Sequence, residues 1–147
     1  MSTRREAREW AIQLLFQLDL NPAEDLGGVF ERFWSGQCEA DATARKFTES
    51  VVTGVRARLG ELDERMADLS DHWDVGRMGV LDRNVIRMAL FEMLHRPDIP
   101  PVVSINEAVD IAKYFSSRES GKFVNGILDQ MRRNLDRPAR QAADADG

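Results

Sequence analysis

The sequence predicts an all-α protein of about seven helices, and two observations support this fold class. Apolar residues recur three or four positions apart along most of the 147 residues, as they do on the buried face of a helix. No stretch alternates apolar and polar residues for long enough to predict a strand, since Val102-Val103 is too short. Turn signals such as Asn21-Pro22 divide the helical pattern into segments.

The first half of the chain contains four predicted helices. The first begins at Thr3, because Glu6 follows it at the spacing of a capping box. A shorter helix covers about residues 26–34. The long apolar pattern over residues 47–69 predicts two helices that break near Gly60.

The second half predicts three more helices. The helix at about residues 82–95 is apolar nearly all round, so we expect it to be buried at the centre of the fold. Ser104 is the predicted N-cap of the next helix, with Glu107 at the capping-box position. The last helix is expected from about residue 119 to residue 135.

The composition indicates one soluble domain that works in the cytoplasm. No apolar run approaches the ~20 residues of a membrane span, and the start of the chain resembles no secretory signal. Cys38 is the only cysteine, which is typical of a reducing compartment. We predict a single domain over residues 1–137, and a disordered tail over residues 138–147, which lacks an apolar period.

Enzymatic and metal-binding functions have little support in the sequence. The two histidines and Cys38 have no companions at metal-ligand spacing. The string at residues 120–122 fails as a phosphate loop, because Ser116 and Phe123 occupy positions that need glycine and a hydroxyl residue. A nucleophile–base pair assembled only by the fold stays open, although no motif indicates one. We therefore predict no catalytic activity, no metal and no cofactor.

The segment at residues 113–126, KYFSSRESGKFVNG, is the strongest candidate for binding single-stranded RNA. Lys122 and Arg118 supply charges for phosphates, and Phe115 and Phe123 supply rings for unstacked bases, although both rings also fit a buried helical stripe. A second basic cluster lies at the start of the chain, where it is either an RNA contact or a solvated face: Arg4, Arg5 and Arg8. A helix–turn–helix that binds duplex DNA fits the connector length, but the net charge of −5 disfavours it.

Three stretches in order resemble the NusB family of bacterial transcription antitermination factors. The start, RREAREWAIQLLFQLDL, is similar to the family's arginine-rich first helix. The middle, LDRNVIRMALFEMLHRPDIPPVVSINEAVDIAKYF, resembles its most typical block, and ESGKFVNGILDQM resembles its last helix. The resemblance covers nearly the whole chain. It implies a fold of two packed helical bundles and a role without catalysis.

The resemblance also implies partners and site residues. The partners are boxA-type RNA in nascent transcripts, the ribosomal protein NusE, and the RNA polymerase elongation complex with other Nus factors. Positions that match the family's RNA-binding residues are Arg4, Arg5, Arg8, Phe115, Ser120, Lys122, Phe123 and Asn125. Positions that match its NusE contact are Val80, Leu81 and Asp82. Gly121 stands where some members have a bulkier residue, and Glu6 interrupts the arginine run.

Two functions of different classes remain. The chain is either an RNA-binding factor or mainly a protein-interaction module, which acts as a homodimer or as a NusE partner with little RNA binding. RNA cytosine methyltransferases carry a NusB-like domain, but this chain has no Gly-rich cofactor loop on a strand and no catalytic cysteine of that kind.

Overall fold

The computed structural model describes residues 2–37, 39–69 and 75–135. These residues form one short 3-10 turn, Val75–Arg77, and seven α-helices: α1 (Arg4–Leu20), α2 (Leu26–Ser35), α3 (Ala42–Ala57), α4 (Leu59–Asp68), α5 (Val80–His95), α6 (Pro101–Phe115) and α7 (Arg118–Arg133). No strand occurs among them, so the all-α prediction is confirmed. None of these helices is long and apolar enough to cross a membrane. Cys38, His72 and the predicted tail at residues 138–147 lie outside the described residues.

The chain divides into two units, of which the first is Met1–Ala57. Within it α1 packs against α3, and a buried hydrogen bond of 2.8 Å from Thr48 Oγ1 to the Ala7 carbonyl oxygen joins the two helices. The rings of Trp10 and Trp34 meet edge to face, with centroids 5.7 Å apart, which joins α2 to α1. The core includes the apolar residues of α1 that recur at helical spacing, namely Ala7, Trp10, Ala11, Leu14, Leu15 and Leu18. Apolar residues of the other two helices complete it, among them Val29, Phe47, Val51, Val52 and Val55.

The break in the long apolar segment falls earlier than predicted. Residue Arg58 separates α3 from α4, and its backbone leaves the helical region, with φ −121° and ψ 21°. Gly60 lies inside the first turn of α4, so the glycine does not mark the break. The break coincides with the boundary between the two units, because the second unit begins at Arg58.

The second unit, Arg58–Gly147, is built around α5, which packs against α4, α6 and α7. Every residue of α5 from position 84 to position 93 is buried, which confirms the predicted central helix. Arg87 donates two hydrogen bonds, of 2.7 and 2.8 Å, to the Asp63 carboxylate and so ties α5 to α4. Ser104 Oγ donates to Glu92 Oε1 at 2.9 Å and ties α6 to α5.

The predicted start of α6 at Ser104 is wrong. The helix begins at Pro101, with Pro100 as its N-cap, and Ser104 lies in its first turn. Proline suits the first helical position because its fixed φ matches the helix and its missing N–H has no partner there in any case. The Ser104 hydroxyl is therefore free to bind Glu92, and both residues are buried.

Candidate nucleic-acid interface

The three arginines predicted to bind RNA lie in the first two turns of α1. The helix starts at Arg4 because Thr3 caps it: Glu6 N–H donates to Thr3 Oγ1 at 3.1 Å, and Thr3 N–H donates to Glu6 Oε1 at 3.0 Å. This capping box confirms the predicted start of the first helix. It also gives Glu6, which interrupts the arginine run, a structural role.

The ring of Phe47 orders two of these arginines. The guanidinium carbons of Arg4 and Arg8 lie 4.6 and 5.3 Å from its centre, within the range of cation–π contacts. Arg4 is exposed and Arg5 is half-buried, whereas Arg8 is only 2% exposed. Arg8 thus lies beneath the surface that Arg4 and Arg5 present, and Phe47 is a supporting residue that the sequence did not reveal.

The connector between α6 and α7 is two residues long, Ser116 and Ser117. Ser117 caps α7, because its Oγ accepts a hydrogen bond of 3.1 Å from the backbone N–H of Ser120. The helix therefore starts at Arg118, one residue before the predicted start. This local geometry places Phe115, Arg118 and Lys122 within a short stretch at one end of the helix pair.

Arg118 and Lys122 are exposed, and neither has an ion pair or hydrogen bond within the part of the chain that the structure describes. At the other end of α7, by contrast, Arg132 and Arg133 both bind Asp129, at 2.9 and 2.7 Å. The unpaired charges thus lie at the helix end where the backbone dipole is also positive. Two unpaired cations at the positive end of the helix favour binding of an anion such as a phosphate.

The two phenylalanines predicted in this segment differ in exposure. Phe115 is the last residue of α6 and is 41% exposed, so the alternative that places its ring in the buried stripe of that helix is wrong. Phe123 is half-buried, one turn further along α7 than Ser120. Asn125 is exposed on the same helix. An exposed ring next to unpaired cations is the usual combination for binding unstacked bases.

The predicted NusE contact and the predicted RNA segment meet within the second unit. Val80, Leu81 and Asp82 form the half-buried first turn of α5. Ser120 Oγ donates to Asp82 Oδ2 at 3.5 Å, and it lies 2.9 Å from Ser116 Oγ. Asp82 Oδ1 is buried and has no hydrogen-bond partner in the described part of the chain. Sequence reasoning treated these two sets of residues separately and gave no sign of this contact.

The structure does not assemble all predicted RNA-binding residues in one unit. Arg4, Arg5 and Arg8 belong to Met1–Ala57, and those of α6 and α7 belong to Arg58–Gly147. Each group is thus a local surface of its own unit.

His95 has a structural partner. Its Nε2 lies 3.0 Å from Glu61 Oε1, so the pair ties the end of α5 to α4. Partial burial raises the pKa of the Glu61 carboxyl, but the hydrogen bonds and charges of His95 and Arg58 lower it further, so this pKa lies below its usual value. Within the described residues, no three His, Cys, Asp or Glu side chains group as metal ligands.

Known proteins and structures match this chain along almost its full length. The sequence profile of the NusB family matches residues 5–133. A protein of Desulforapulum autotrophicum named transcription antitermination protein NusB is 44% identical over 96% of this chain and 100% of its own. The structure of T. maritima NusB superposes with a TM-score of 0.82 and 34% identity, covering 94% of each chain. A structure of antitermination factors NusB and NusE in complex with dsRNA shares the fold, with a TM-score of 0.81 and 23% identity. The match covers 90% of this chain and 97% of the chain in that structure. The chain belongs to the NusB family.

Proposed function

We propose that this chain is a transcription antitermination factor, which binds boxA-type single-stranded RNA in nascent ribosomal RNA transcripts together with NusE. In that role it helps RNA polymerase, with other Nus factors, to pass terminators. The observation that carries the proposal is the start of α7. There Arg118 and Lys122 are exposed and unpaired within the described residues, beside the exposed ring of Phe115.

The chemistry of this surface suits a single strand better than a duplex. Cations bind phosphates whatever the sequence of the nucleic acid, whereas a ring such as that of Phe115 stacks only on a base that is not already stacked in a duplex. Phosphates therefore supply affinity that falls with salt, and bases supply preference. We propose that residues 1–137 work as a single RNA-binding domain, in which each unit contributes residues to RNA binding. The first unit contributes Arg4 and Arg5, with Arg8 supporting them beneath the surface, and the second contributes Phe115, Arg118, Ser120, Lys122, Phe123 and Asn125.

NusE is the proposed protein partner at Val80, Leu81 and Asp82. The support is their position: Asp82 is one hydrogen bond from Ser120, which belongs to the proposed RNA surface. A partner bound at this turn therefore lies next to the RNA strand and extends the surface that the strand contacts. NusB and NusE occur together with RNA in a solved structure of the same fold. We infer a cytoplasmic role without catalysis, metal or cofactor.

A second candidate function is protein interaction with little RNA binding, as a homodimer or as a NusE partner. One observation favours it: Phe16 and Leu20, one turn apart on α1, are 39% and 57% exposed. Exposed apolar side chains that are neighbours on one helix face are typical of contacts between proteins. Phe16 and Leu20 follow the three arginines of α1 along the chain and are not among the proposed RNA-binding residues.

Fluorescence anisotropy with four labelled RNAs separates the two candidates. The RNAs are a boxA-like strand, a scrambled strand, the boxA duplex and the scrambled duplex, each with and without NusE at two salt concentrations. Antitermination predicts preference for the boxA-like single strand, which strengthens with NusE. Equal weak binding to all four RNAs, together with a salt-stable dimer in sedimentation, would favour the protein-interaction function.

A further inference from the structure

The ring of Tyr114 is the most exposed large side chain at the end of α6. Tyr114 is 78% exposed, and its ring meets that of Phe115 edge to face, with centroids 5.0 Å apart and an angle of 89° between the rings. Among the described residues its hydroxyl makes no hydrogen bond. The end of the helix therefore presents two aromatic faces at right angles, of which sequence reasoning assigned only that of Phe115.

The side chain of Lys113 lies across the start of α7, over the bare backbone of Gly121. A Cβ built on Gly121 would lie 2.5 Å from Cγ and 2.9 Å from Cε of Lys113, so only glycine leaves room for the lysine in this position. Lys113 has no ion pair or hydrogen bond in the part of the chain that the structure describes. Its charge is thus unpaired, and its backbone adjoins that of Tyr114.

We infer that Lys113 and Tyr114 form a further nucleotide subsite, in which the tyrosine ring stacks on one unstacked base and the lysine pairs with an adjoining phosphate. This inference rests on the proposed function and extends the RNA surface by one nucleotide beyond Phe115. Because the two rings are perpendicular, the bases on them point in different directions, as they do in splayed single strands.

The surroundings of the ring favour RNA over a protein as the occupant. A docking surface for a protein needs a continuous apolar area, but the neighbours of the two rings in sequence are polar or charged: Lys113, Ser116, Ser117 and Arg118. The nearest exposed large apolar residue on α6 is Val103, three turns away. Aromatic faces flanked by cations and hydroxyls match the alternation of bases and phosphates along a strand.

Three substitutions at one position separate stacking from other contacts, using the full-length chain and the boxA-like RNA. Tyr114→Ala is expected to weaken binding about 5- to 20-fold, since stacking on an exposed ring lies in the lower part of the usual range. Tyr114→Phe keeps the ring and is expected to bind within about twofold of the unchanged protein. Tyr114→Leu keeps apolar bulk without an aromatic face and is expected to behave as Tyr114→Ala does. Val103→Ala is the matched control on the same helix.

RNAs that lack one base at a time locate the subsite. At one position, removal of the base is expected to weaken binding by the unchanged protein but not by Tyr114→Ala. Lys113→Ala is expected to reduce the magnitude of the slope of log K against log salt concentration by about 0.7, which is the contribution of one phosphate contact. Thermal unfolding checks that each variant keeps its fold.

The outcomes distinguish the inference from the function on which it rests. If the unchanged protein prefers boxA-like RNA and Tyr114→Ala binds it equally well, the subsite is overturned and the proposed function stands. If the unchanged protein prefers no RNA, both are overturned. If Tyr114→Ala weakens only NusE binding, the ring belongs to a protein contact and the inference is overturned.

Discussion

The hydroxyl of Ser120 lies 3.5 Å from Oδ2 of Asp82, and it links the first turn of α7 to the first turn of α5. Since a carboxylate only accepts, Ser120 is the donor in this contact. Ser116 must then donate to Ser120 across their 2.9 Å separation. The chain of three groups joins the connector of the proposed RNA surface to the proposed NusE contact.

This link predicts that Asp82 and Ser120 do not act independently. In a cycle of Asp82→Ala, Ser120→Ala and the double variant, the two changes are expected to show a coupling energy of about 0.5–1 kcal/mol in RNA affinity with NusE present. The value is small because a separation of 3.5 Å is long for a hydrogen bond between a hydroxyl and a carboxylate. The cycle of Asp82→Ala with Asn125→Ala is the control, because Asn125 lies more than a turn beyond Ser120. Strict additivity at Asp82 and Ser120 would contradict the link.

Gly121 predicts a second departure from additivity. Alanine there places a Cβ against Lys113 Cγ, so the lysine must leave its position. Gly121→Ala is expected to weaken RNA binding about as much as Lys113→Ala does, and the double variant is expected to be no worse than either. The helix itself tolerates the change, since alanine favours helix over glycine by up to about 1 kcal/mol. Equal RNA affinity in Gly121→Ala and the unchanged protein, by anisotropy, would refute this role.

Loss of the ion pair between Arg87 and Asp63 is expected to lower the free energy of unfolding. Arg87 is 6% exposed and binds Asp63 through two nitrogens, so Arg87→Ala leaves a carboxylate without its partner. The Asp63 side chain is 33% exposed, and solvent screening reduces the cost to about 2–3 kcal/mol. Arg32→Ala, which breaks an exposed pair with Glu24, is expected to cost below about 1 kcal/mol. Urea unfolding measures both, and equal costs would contradict the assignment.

Glu61 predicts a dependence of stability on pH. Its pKa in the folded protein lies below the usual value of 4.5, so it contributes stability that is present above that pH and is lost as pH falls through the folded pKa. Between pH 7 and pH 3 the free energy of unfolding falls, in part because Glu61 becomes protonated. Glu61→Gln is expected to remove this part of the decrease, as measured by urea unfolding at a series of pH values. Glu64→Gln, at an exposed residue of the same helix, is the control. An unchanged profile in Glu61→Gln would show that the pair with His95 has no effect on stability.

The elements were predictable where one local signal dominates. The capping box at Thr3 and the apolar run of α5 depend only on nearby residues, and both predictions are confirmed. Ser104 carried an equally good capping signal, but Pro101 starts the helix earlier and the serine binds Glu92 instead. That choice depends on a residue twelve positions away, so no local pattern could reveal it.

The candidate site divides in the same way. The cations at Arg118 and Lys122 follow from the sequence, because charge and the start of a helix are local properties. The burial of Arg8 under Phe47 and the contact of Ser120 with Asp82 join residues 38 or more positions apart, so they needed the fold. Lys113 over Gly121 needed the exact path of the connector between α6 and α7.

The most direct test of the central claim is the salt dependence of RNA binding by Arg5→Ala/Lys122→Ala. Each lost phosphate contact lowers the dependence of log K on log salt by about 0.7, so the account predicts a decrease of about 1.4 with weaker binding and unchanged unfolding. Arg133→Ala is the matched control, because Arg133 is exposed on α7 but pairs with Asp129. An unchanged slope and affinity in the double variant would contradict the proposal that Arg5 and Lys122 both contact RNA.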